Sequence, residues 1–280
     1  MTTLITGATG KVGSRFARRM LAAGEPTRLL VRNDNIDLPT DIAVADLRDE
    51  AAVRKSLIGI TAIVHIASSF RAWSPQELTD TDIAGTEMLA NAALDAGITK
   101  FVYTSTNLVY DGCDYGRPAT EDDPVGTDLF GYPSAKAEAE RRLRTLHQTR
   151  GLDLRIVRLP FVYGDGDPHV TDAVRLVADW PAHQRMTTGH HADVGQALLR
   201  ALRAEGIAGR TYNLSDDAPM TIFEIFQLHG IELPERAESA DRSVEARPWL
   251  HTVSTARIRR ELGFRPLYPT VASAAEAGAL

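Results

Sequence analysis

The sequence predicts an α/β protein built on a doubly wound parallel sheet with helices on both faces, and two observations carry that prediction. First, the short apolar run Leu4-Ile5 leads directly into a glycine-rich turn at residues 6–13, after which apolar residues recur near helical spacing. Second, the first half of the 280-residue chain alternates short apolar runs with amphipathic stretches. That alternation is typical of parallel strands joined by helical crossovers.

The glycine turn predicts a nucleotide-binding site. Gly7 can adopt a backbone conformation closed to other residues, Gly10 lets a pyrophosphate approach the backbone, and Gly13 lets the helix pack closely on its strand. The helix that starts here presents free N–H groups and a partial positive charge to phosphates. The predicted cofactor contacts in this turn are Gly7, Thr9, Gly10, Lys11, Val12 and Gly13. The Gly-x-x-Gly-x-x-Gly spacing with a preceding Thr resembles the extended short-chain dehydrogenases/reductases, an epimerase/dehydratase-like family with a Rossmann-type fold.

Composition limits the partners that the chain is expected to have. A net charge of −6 without a basic block argues against a nucleic-acid partner, and a single cysteine, Cys113, excludes an internal disulfide and cysteine-based zinc sites. No apolar run approaches the ~20 residues of a membrane span, and no leader-like segment precedes the first strand, so we expect no membrane partner and a cytoplasmic location. Four histidines, His169, His183, His190 and His191, lie close in sequence but lack metal-ligand spacing, so no metal site is predicted.

The second strand, residues 28–32, bears on the choice of cofactor. About where NAD-binding members of the family carry an acidic residue, this chain has Val31 followed by Arg32. An arginine at this place can pair with the 2′-phosphate of NADP, whereas Asp34 could still serve a ribose hydroxyl. NADP is therefore the favoured cofactor, and NAD is the alternative.

Strand three, residues 42–45, is followed by Asp46 and Leu47, which the resemblance assigns to contacts with adenine. Taken alone, Asp46 equally fits the cap of a helix at residues 50–57.

Strand four, residues 62–67, runs toward the cofactor and ends at Ala67, another expected cofactor contact. Within it, His65 fits a packing residue better than a catalyst. A long helix is predicted at about residues 75–96, and it contains Asp82 where the family usually has Asn. That departure changes the hydrogen bonding expected at this point.

The candidate catalytic residues follow a predicted fifth strand at residues 101–110. Tyr132 and Lys136 are four residues apart and therefore share one face of a helix. A phenol has a pKa near ~10, but a neighbouring ammonium and an oxidised nicotinamide both lower it, so this Tyr can exchange a proton with a substrate oxygen. In the family, a hydroxyl from the fifth strand holds that oxygen. It corresponds to Thr106 here, with Ser105 as the one-residue alternative.

The sixth strand, residues 154–158, completes the expected cofactor site. It continues into a segment resembling the family's Arg-x-x-x-x-Tyr-Gly pattern, whose backbone near Pro160 lies along the nicotinamide. The resemblance adds Thr104, Lys136 and Val162 to the predicted cofactor contacts.

The rest of the chain is expected to complete the sheet and form a small, discontinuous C-terminal substrate lobe. Residues 190–194 open an amphipathic helix, residues 212–214 form a late strand, and residues 221–224 form a capping box. The predicted Rossmann-type domain covers residues 1–163 plus about 187–214, and the substrate lobe covers about 164–186 and 215–280.

Three functions remain open. The family's 4,6-dehydratases carry Asp-Glu after the catalytic Thr, but here Asn107-Leu108 follows, and Leu108 cannot transfer a proton. The favoured function is an NAD(P)-dependent ketoreductase or alcohol dehydrogenase, and the alternative is a sugar-nucleotide epimerase that keeps NAD bound. A cofactor-sensing protein without turnover is a third possibility, disfavoured by the Tyr/Lys pair.

The substrate site and the assembly are predicted last. Segments after strands four, five and six reach the expected site, and their candidate substrate contacts are Ser68, Ser69, Arg71, Trp73, Asn107, Tyr163 and Arg185, with Trp180 in the apolar wall.

The helices at about residues 75–96 and 134–150 suggest a homodimer through a four-helix interface. Their apolar residues are Leu78, Met88, Leu89, Leu143 and Leu146.

Overall fold

Seven parallel strands form the central sheet of the computed structural model, which describes residues 1–34, 36, 38–70, 74–169, 172, 174, 177–178, 180–228, 230–233 and 249–280. The strands are β1 (Thr3–Thr6), β2 (Thr27–Val31), β3 (Asp41–Val44), β4 (Ala62–His65), β5 (Lys100–Thr106), β6 (Asp153–Leu159) and β10 (Thr211–Asn213). Their order across the sheet is β10-β6-β5-β4-β1-β2-β3. The chain changes direction between β1 and β4, and this switch point is where open parallel sheets bind their ligands. The predicted fold class is confirmed.

Helices cover both faces of the sheet. They are α1 (Lys11–Ala22), α2 (Glu50–Ser56), α3 (Pro75–Leu78), α4 (Thr86–Asp95), α5 (Gly131–Arg150), α6 (His191–Arg203), α7 (Ile222–Leu228), α8 (Ala256–Leu262) and α9 (Val271–Glu276). On one face, α1 and α6 pack in a core that includes Phe16, Met20 and Leu198. On the other face, α4 and α5 contribute Leu89 and Leu143 to a second core.

Two predicted elements differ in detail from the structure. The long helix expected at 75–96 is three consecutive helical segments, because a π-helical turn, Thr79–Gly85, separates α3 from α4. The fifth strand ends at Thr106 rather than at residue 110, and Asn107–Tyr110 forms a 3₁₀ turn instead. The cause of the early end is local: the Thr106 hydroxyl accepts a hydrogen bond from the Leu108 N–H at 3.2 Å and caps the turn.

A third, smaller apolar cluster lies apart from the two main cores. It joins β8 (Arg185–Met186), which pairs antiparallel with β11 (Met220–Thr221), to α7 and α9. Buried members are Met186, Ile222, Ile225, Phe226 and Val271. The capping box at the start of α7 is present, since the Thr221 hydroxyl accepts from the Glu224 N–H and the Glu224 carboxylate from the Thr221 N–H. This cluster is consistent with the expected substrate lobe, whose boundaries stay a prediction.

The remaining strands connect this cluster to the sheet. They are β7 (Phe161–Tyr163) and β9 (Thr188–His190), which pair in parallel just beyond the end of β6.

A buried ion pair ties α5 to the end of β6. The Arg158 guanidinium donates to both carboxylate oxygens of Glu140, at 2.9 and 2.6 Å, and each side chain is 3% exposed. Arg158 also donates to the Tyr110 hydroxyl. Two charges removed from water are stable only when they satisfy each other, so this pair fixes α5 against the sheet.

Removing one partner of this pair should destabilise the protein strongly. We expect Glu140→Gln to lower the free energy of unfolding by about 3–5 kcal/mol, because the guanidinium stays buried without a counter-charge. Glu138→Gln on the same helix is the matched control: Glu138 is 30% exposed beside Arg141, so the same exchange should cost less than about 1 kcal/mol. Urea denaturation at neutral pH measures both, and equal losses in the two variants would contradict the prediction.

Candidate active site

The glycine turn brings β1, α1 and the end of β4 into very close contact. Gly7 has φ +72°, and a β-carbon there would lie 2.6 Å from the Ala67 amide nitrogen. A β-carbon on Gly13 would lie 2.1 Å from the Gly7 carbonyl oxygen. Gly10 is the N-cap residue of α1 and offers no side-chain cap. The first N–H groups of α1 are therefore left for an anion, as a pyrophosphate-binding turn requires.

Beside this turn, β2 and β3 end in a cluster of charges. Asp46 pairs with the Arg48 guanidinium in a two-point contact, at 2.8 and 2.7 Å. The Arg48 hydrogen bond is the largest influence that lowers the pKa of Asp46 to about 2, and the nearby Arg32 charge adds to it. Asp46 does not cap the following helix, because Asp49 does so by accepting from the Ala52 N–H at 3.0 Å. That correction leaves Asp46 at the cofactor cleft.

Tyr132 and Lys136 lie in the first turns of α5, facing the end of β5. Lys136 is 2% exposed and donates to the Thr104 carbonyl oxygen at 3.1 Å. The Thr106 hydroxyl lies within hydrogen-bonding reach of the Tyr132 phenol and favours its ionised form. By contrast, the Ser105 hydroxyl lies beside the buried Glu140 carboxylate. Both hydroxyl residues line the cavity, and Thr106 stays the predicted partner of Tyr132 with Ser105 as the alternative.

Burial governs the ionisation of this pair. It raises the pKa of the Tyr132 phenol well above the ordinary value, and the negative charge of Asp82 adds to that rise. Burial lowers the pKa of Lys136, whereas the neighbouring Asp82 carboxylate raises it. The carboxylate of Asp82 thus acts on both members of the pair, raising the pKa of each.

His65 is a packing residue, as the sequence indicated. It is fully buried in β4, and its ring nitrogens bridge the hydroxyls of Thr6 and Thr86 at 2.7 and 2.8 Å. Burial, together with the charge of Lys136, lowers the pKa of His65 to about 3, so the imidazole is neutral at physiological pH.

A single cavity of about 950 Å³ runs along the carboxyl ends of the strands. It is lined by all the predicted cofactor contacts, namely Gly7, Thr9, Gly10, Lys11, Val12, Gly13, Arg32, Asp46, Leu47, Ala67, Thr104, Lys136, Pro160 and Val162. Also in the lining are Thr106 and Tyr132, together with the substrate candidates Ser68, Ser69 and Asn107. A volume of this size is in the range of cofactor sites.

Two substrate candidates lie elsewhere. Tyr163 is 1% exposed and packs edge-on against His190, with ring centroids 5.3 Å apart, so it is a core residue. Arg185 is exposed on β8 and does not line the cavity. Arg71 and Trp73 lie outside the described residues. Trp180, the third aromatic candidate, does line the cavity and stacks on His251 at 5.1 Å.

The sequence placed the segments after strands four, five and six at the substrate site, but it did not name most of the individual residues that line this part of the cavity. The Phe70 ring contacts the Tyr132 ring edge-on at 4.8 Å. The further lining residues in this part are Leu108, Phe161, His169, Met186, His251 and Val253. They come from five separate segments, so no local pattern announces them. Arg48 was also missed, although its position two residues after Asp46 was a usable signal.

A salt bridge crosses the mouth of the cofactor cleft. The Lys11 ammonium lies 2.6 Å from an Asp167 carboxylate oxygen, and the other oxygen lies 2.8 Å from His191 Nε2. Burial is the main cause that lowers the pKa of His191, to about 4, although Asp167 acts in the opposite direction. Lys11 is thereby held between the glycine turn and the segment that follows β7.

Two searches of the described residues bear on other kinds of site. In the part of the chain that the structure describes, no group of three or more His, Cys, Asp or Glu side chains is placed to hold a metal ion. Nor does any helix within those same ranges have the length and apolar character needed to cross a membrane.

Comparisons with known proteins agree with this geometry. Residues 3–215 match the model of the NAD dependent epimerase/dehydratase family. Sterol demethylase protein B of Methylococcus capsulatus is 34% identical over 197 residues, which cover 66% of this chain and 58% of that relative. The 4-hydroxy-2-methyl-3-oxo-4-farnesyl-3,4-dihydroquinoline-1-oxide ketoreductase of Stigmatella aurantiaca is 30% identical over 240 residues, 79% of this chain and 70% of the relative. A dTDP-glucose 4,6-dehydratase from Streptomyces venezuelae, solved with NAD and TYD bound, superposes with a TM-score of 0.78 at 26% identity, covering 99% and 95% of the two chains.

The close approach at the glycine turn can be tested with a pair of glycine variants. We expect Gly13→Ala to destabilise the protein by about 1–3 kcal/mol, because the new methyl group meets the Gly7 backbone, which cannot move aside. In Gly195→Ala, the same exchange inside α6, the methyl meets only the flexible Arg19 side chain. This control should be neutral or stabilising by up to ~1 kcal/mol, the helix-propensity gain of Ala over Gly. Urea denaturation of both variants is the measurement, and a stable Gly13→Ala protein would show that the turn has room to spare.

Proposed function

The chain belongs to the NAD dependent epimerase/dehydratase family of enzymes, and we propose that it is an oxidoreductase that interconverts a carbonyl and a secondary alcohol, with Tyr132 as acid and base. The observation that carries the proposal is the convergence of two sites in one cavity. A pyrophosphate-type glycine turn lines one end, and Tyr132, Lys136 and Thr106 line the other. Convergence of this kind favours turnover over cofactor sensing alone.

The proposed mechanism assigns one task to each of the three side chains. When bound, the nicotinamide cofactor supplies the hydride in reduction and accepts it in oxidation. Tyr132 donates its phenolic proton to the carbonyl oxygen in reduction and takes it back in oxidation. The Thr106 hydroxyl holds that oxygen in place, and the buried Lys136 ammonium stabilises the phenolate that is left.

The wall around Tyr132 supports an uncharged substrate. Phe70, Leu108 and Phe161 line this part of the cavity together with Trp180 and Met186. The described arginines and lysines that line the cavity are Lys11, Arg32, Arg48 and Lys136. None of these four lies on the segments that form the apolar wall, and a diphosphate would need cationic partners there. As far as the described residues form this wall, a neutral ketone fits better than a sugar nucleotide.

Epimerase and dehydratase chemistry are the alternatives that relatives raise. The segments Val109-Tyr110 and Tyr163-Gly164 are typical of the epimerase branch, which keeps that function as the second candidate. Dehydration is disfavoured because Leu108, in the position of a proton-transfer residue, lines the cavity and has no proton to give.

We further propose NADP as the preferred cofactor. Arg32 lies at the end of β2, and Arg48 is held close by through its two-point contact with Asp46. Two guanidinium groups near the adenosine end suit a 2′-phosphate, which carries more charge than the hydroxyl of NAD.

A homodimer and a cytoplasmic location also stay proposals. The apolar residues that suggested the dimer pack within the chain, because Leu78, Leu89, Leu143 and Leu146 are buried and Met88 packs on the same core. A dimer through α4 and α5 would instead use their outer faces, where Glu87 pairs with Arg142.

The role of Tyr132 is tested by removing its hydroxyl. We expect Tyr132→Phe to lower turnover by roughly 10²–10⁴-fold with the fold intact, as the loss of a general acid–base does. Tyr103→Phe is the matched control, since the Tyr103 hydroxyl is buried without a hydrogen-bond partner among the described residues. NADPH consumption with a panel of ketones, run beside sugar nucleotides, gives the rates. Full activity in Tyr132→Phe, or turnover of sugar nucleotides alone, would reject the proposed function.

Cofactor preference is tested at Arg32. We expect Arg32→Ala to weaken NADPH binding by about 1.5–3 kcal/mol, the value of a hydrogen bond to a charged group, and to change NADH binding far less. Arg18→Ala removes a guanidinium that is exposed on α1 and lies outside the cavity lining, so it should affect neither cofactor. Fluorescence or calorimetric titration measures both affinities. A preference of the unmodified protein for NADH would overturn the NADP proposal.

A further inference from the structure

Asp82 is a buried carboxylate next to the proposed catalytic pair. It lies in the π-helical turn between α3 and α4 and is 0% exposed. π-Helical turns inside α-helical segments are frequent at functional sites. A carboxylate with no access to water needs a counter-charge or several hydrogen-bond donors, and the contacts of Asp82 supply both.

The contacts of Asp82 connect two parts of the cavity. One carboxylate oxygen accepts from the Ser68 hydroxyl and the other from the Ser69 N–H at 2.7 Å. The oxygen bonded to Ser68 also lies 3.6 Å from the Lys136 ammonium, whose side chain is 3% exposed. Asp82 therefore ties the loop after β4 to the lysine of α5. Its carboxylate thus has two hydrogen-bond donors and one cation as neighbours.

The Lys136 ammonium is close to both Asp82 and Tyr132. Its nitrogen is 4.9 Å from the centre of the Tyr103 ring and 5.7 Å from that of Tyr132. An unopposed ammonium at this place would favour ionisation of the phenol, because unlike charges attract. A carboxylate 3.6 Å away opposes that effect, since it offsets the field of the ammonium and itself repels a phenolate.

The other ionisable groups near Tyr132 and Lys136 do not reverse the effect of Asp82 on the ionisation of Tyr132. They come from each element packed against it, namely Glu140 of α5, Arg158 of β6, Tyr103 of β5, His65 of β4 and His169 after β7. Glu140 and Arg158 neutralise each other, and His65 is neutral. His169 lies beyond the Phe70 ring, at 6.1 Å from its centre. Glu140 has Arg158 as its buried cation, whereas the cation beside Asp82 is Lys136, the ammonium that acts on Tyr132.

We propose that Asp82 is a positioning residue that holds Lys136 in place by its charge and sets an alkaline working range for Tyr132. The proposal rests on the proposed function in one respect, because it takes Tyr132 as the group that exchanges the proton. Alcohol oxidation, which needs the phenolate, is fastest at alkaline pH in the native chain. Ketone reduction, which needs the phenol, persists to higher pH than it would with a neutral amide at position 82.

Asp82→Asn tests the proposal, because it keeps the shape and one acceptor oxygen but removes the charge. We expect the apparent pKa of the acidic limb of alcohol oxidation to fall by about one unit or more, the size of shift that a nearby charge produces. The apparent pKa of the alkaline limb of ketone reduction should fall by the same amount. A loss of structure alone would lower the rates of alcohol oxidation and ketone reduction, but it would not shift the apparent pKa values of their two limbs in the same direction. Asp82→Ala serves as a second charge-removing variant if Asp82→Asn folds poorly in thermal unfolding.

Glu87→Gln on α4 is the matched control, because it makes the same exchange at a 35% exposed carboxylate paired with Arg142. We expect both limbs to stay in place in this variant. If the apparent pKa values of the two limbs stay unchanged or rise in Asp82→Asn, the proposal is overturned.

A second measurement separates this proposal from the proposed function. The ultraviolet phenolate band is titrated in the native protein and in Asp82→Asn, with and without NADP⁺. The same titration is then made on each of these two proteins carrying Tyr132→Phe in addition, and it is subtracted so that only the signal of Tyr132 remains. Ionisation of Tyr132 at lower pH in Asp82→Asn supports the proposal even when no substrate is turned over. If Tyr132→Phe keeps full activity, the proposed function fails, and the titration still decides whether Asp82 controls the ionisation of Tyr132.

Discussion

Helix α5 carries Tyr132, Lys136 and Glu140 into the interior at intervals of four residues, and most of the site depends on how their charges are balanced there. Asp82 lies beside Lys136, and Arg158 donates two hydrogen bonds to Glu140. Isolated charges in a protein interior cost several kcal/mol each, so the loss of one member of either pair lowers the stability of the protein. The two partners belong to different elements, the π-helical turn and β6, which therefore hold the start of α5 at a fixed place.

At the other end of the cavity, close backbone contact in the glycine turn holds β1, α1 and the end of β4 together. The positions of Gly7 and Gly13 allow β1, α1 and the end of β4 to approach more closely than any side chain would permit. Because all seven strands are parallel, their carboxyl ends share one edge, and the glycine turn comes to lie on the same edge as Thr106. The separation of the glycine turn from Thr106 is then set by the strands of the parallel sheet.

Features that depend on local patterns were predictable from the sequence, and those that depend on distant contacts were not. The glycine turn, the four-residue spacing of Tyr132 and Lys136, and the alternation of strands and helices all act over a few residues. The end of β5 at Thr106 was missed because a side-chain cap outweighed the apolar run after it. Tyr163 was taken for a substrate contact, yet its neighbours in the small apolar cluster come from residues up to 274, which no local pattern reveals.

The cavity lining combines residues inside and outside the range that matches the family model. The cofactor end of the cavity is built from strand ends and from the first turn of α1, all within residues 3–215 that match the family model. Part of the wall facing Tyr132 comes from His251, Thr252 and Val253, which lie outside that match. Trp180 stacks on His251 and so joins the two parts of the chain across the cavity. Residues 249–253 are not strands of the seven-stranded sheet, and a change in them alters part of the cavity lining. The cavity lining is thus built partly from residues that follow the match to the family model, whereas the buried charges beside Tyr132 lie on α5 and the π-helical turn within that match.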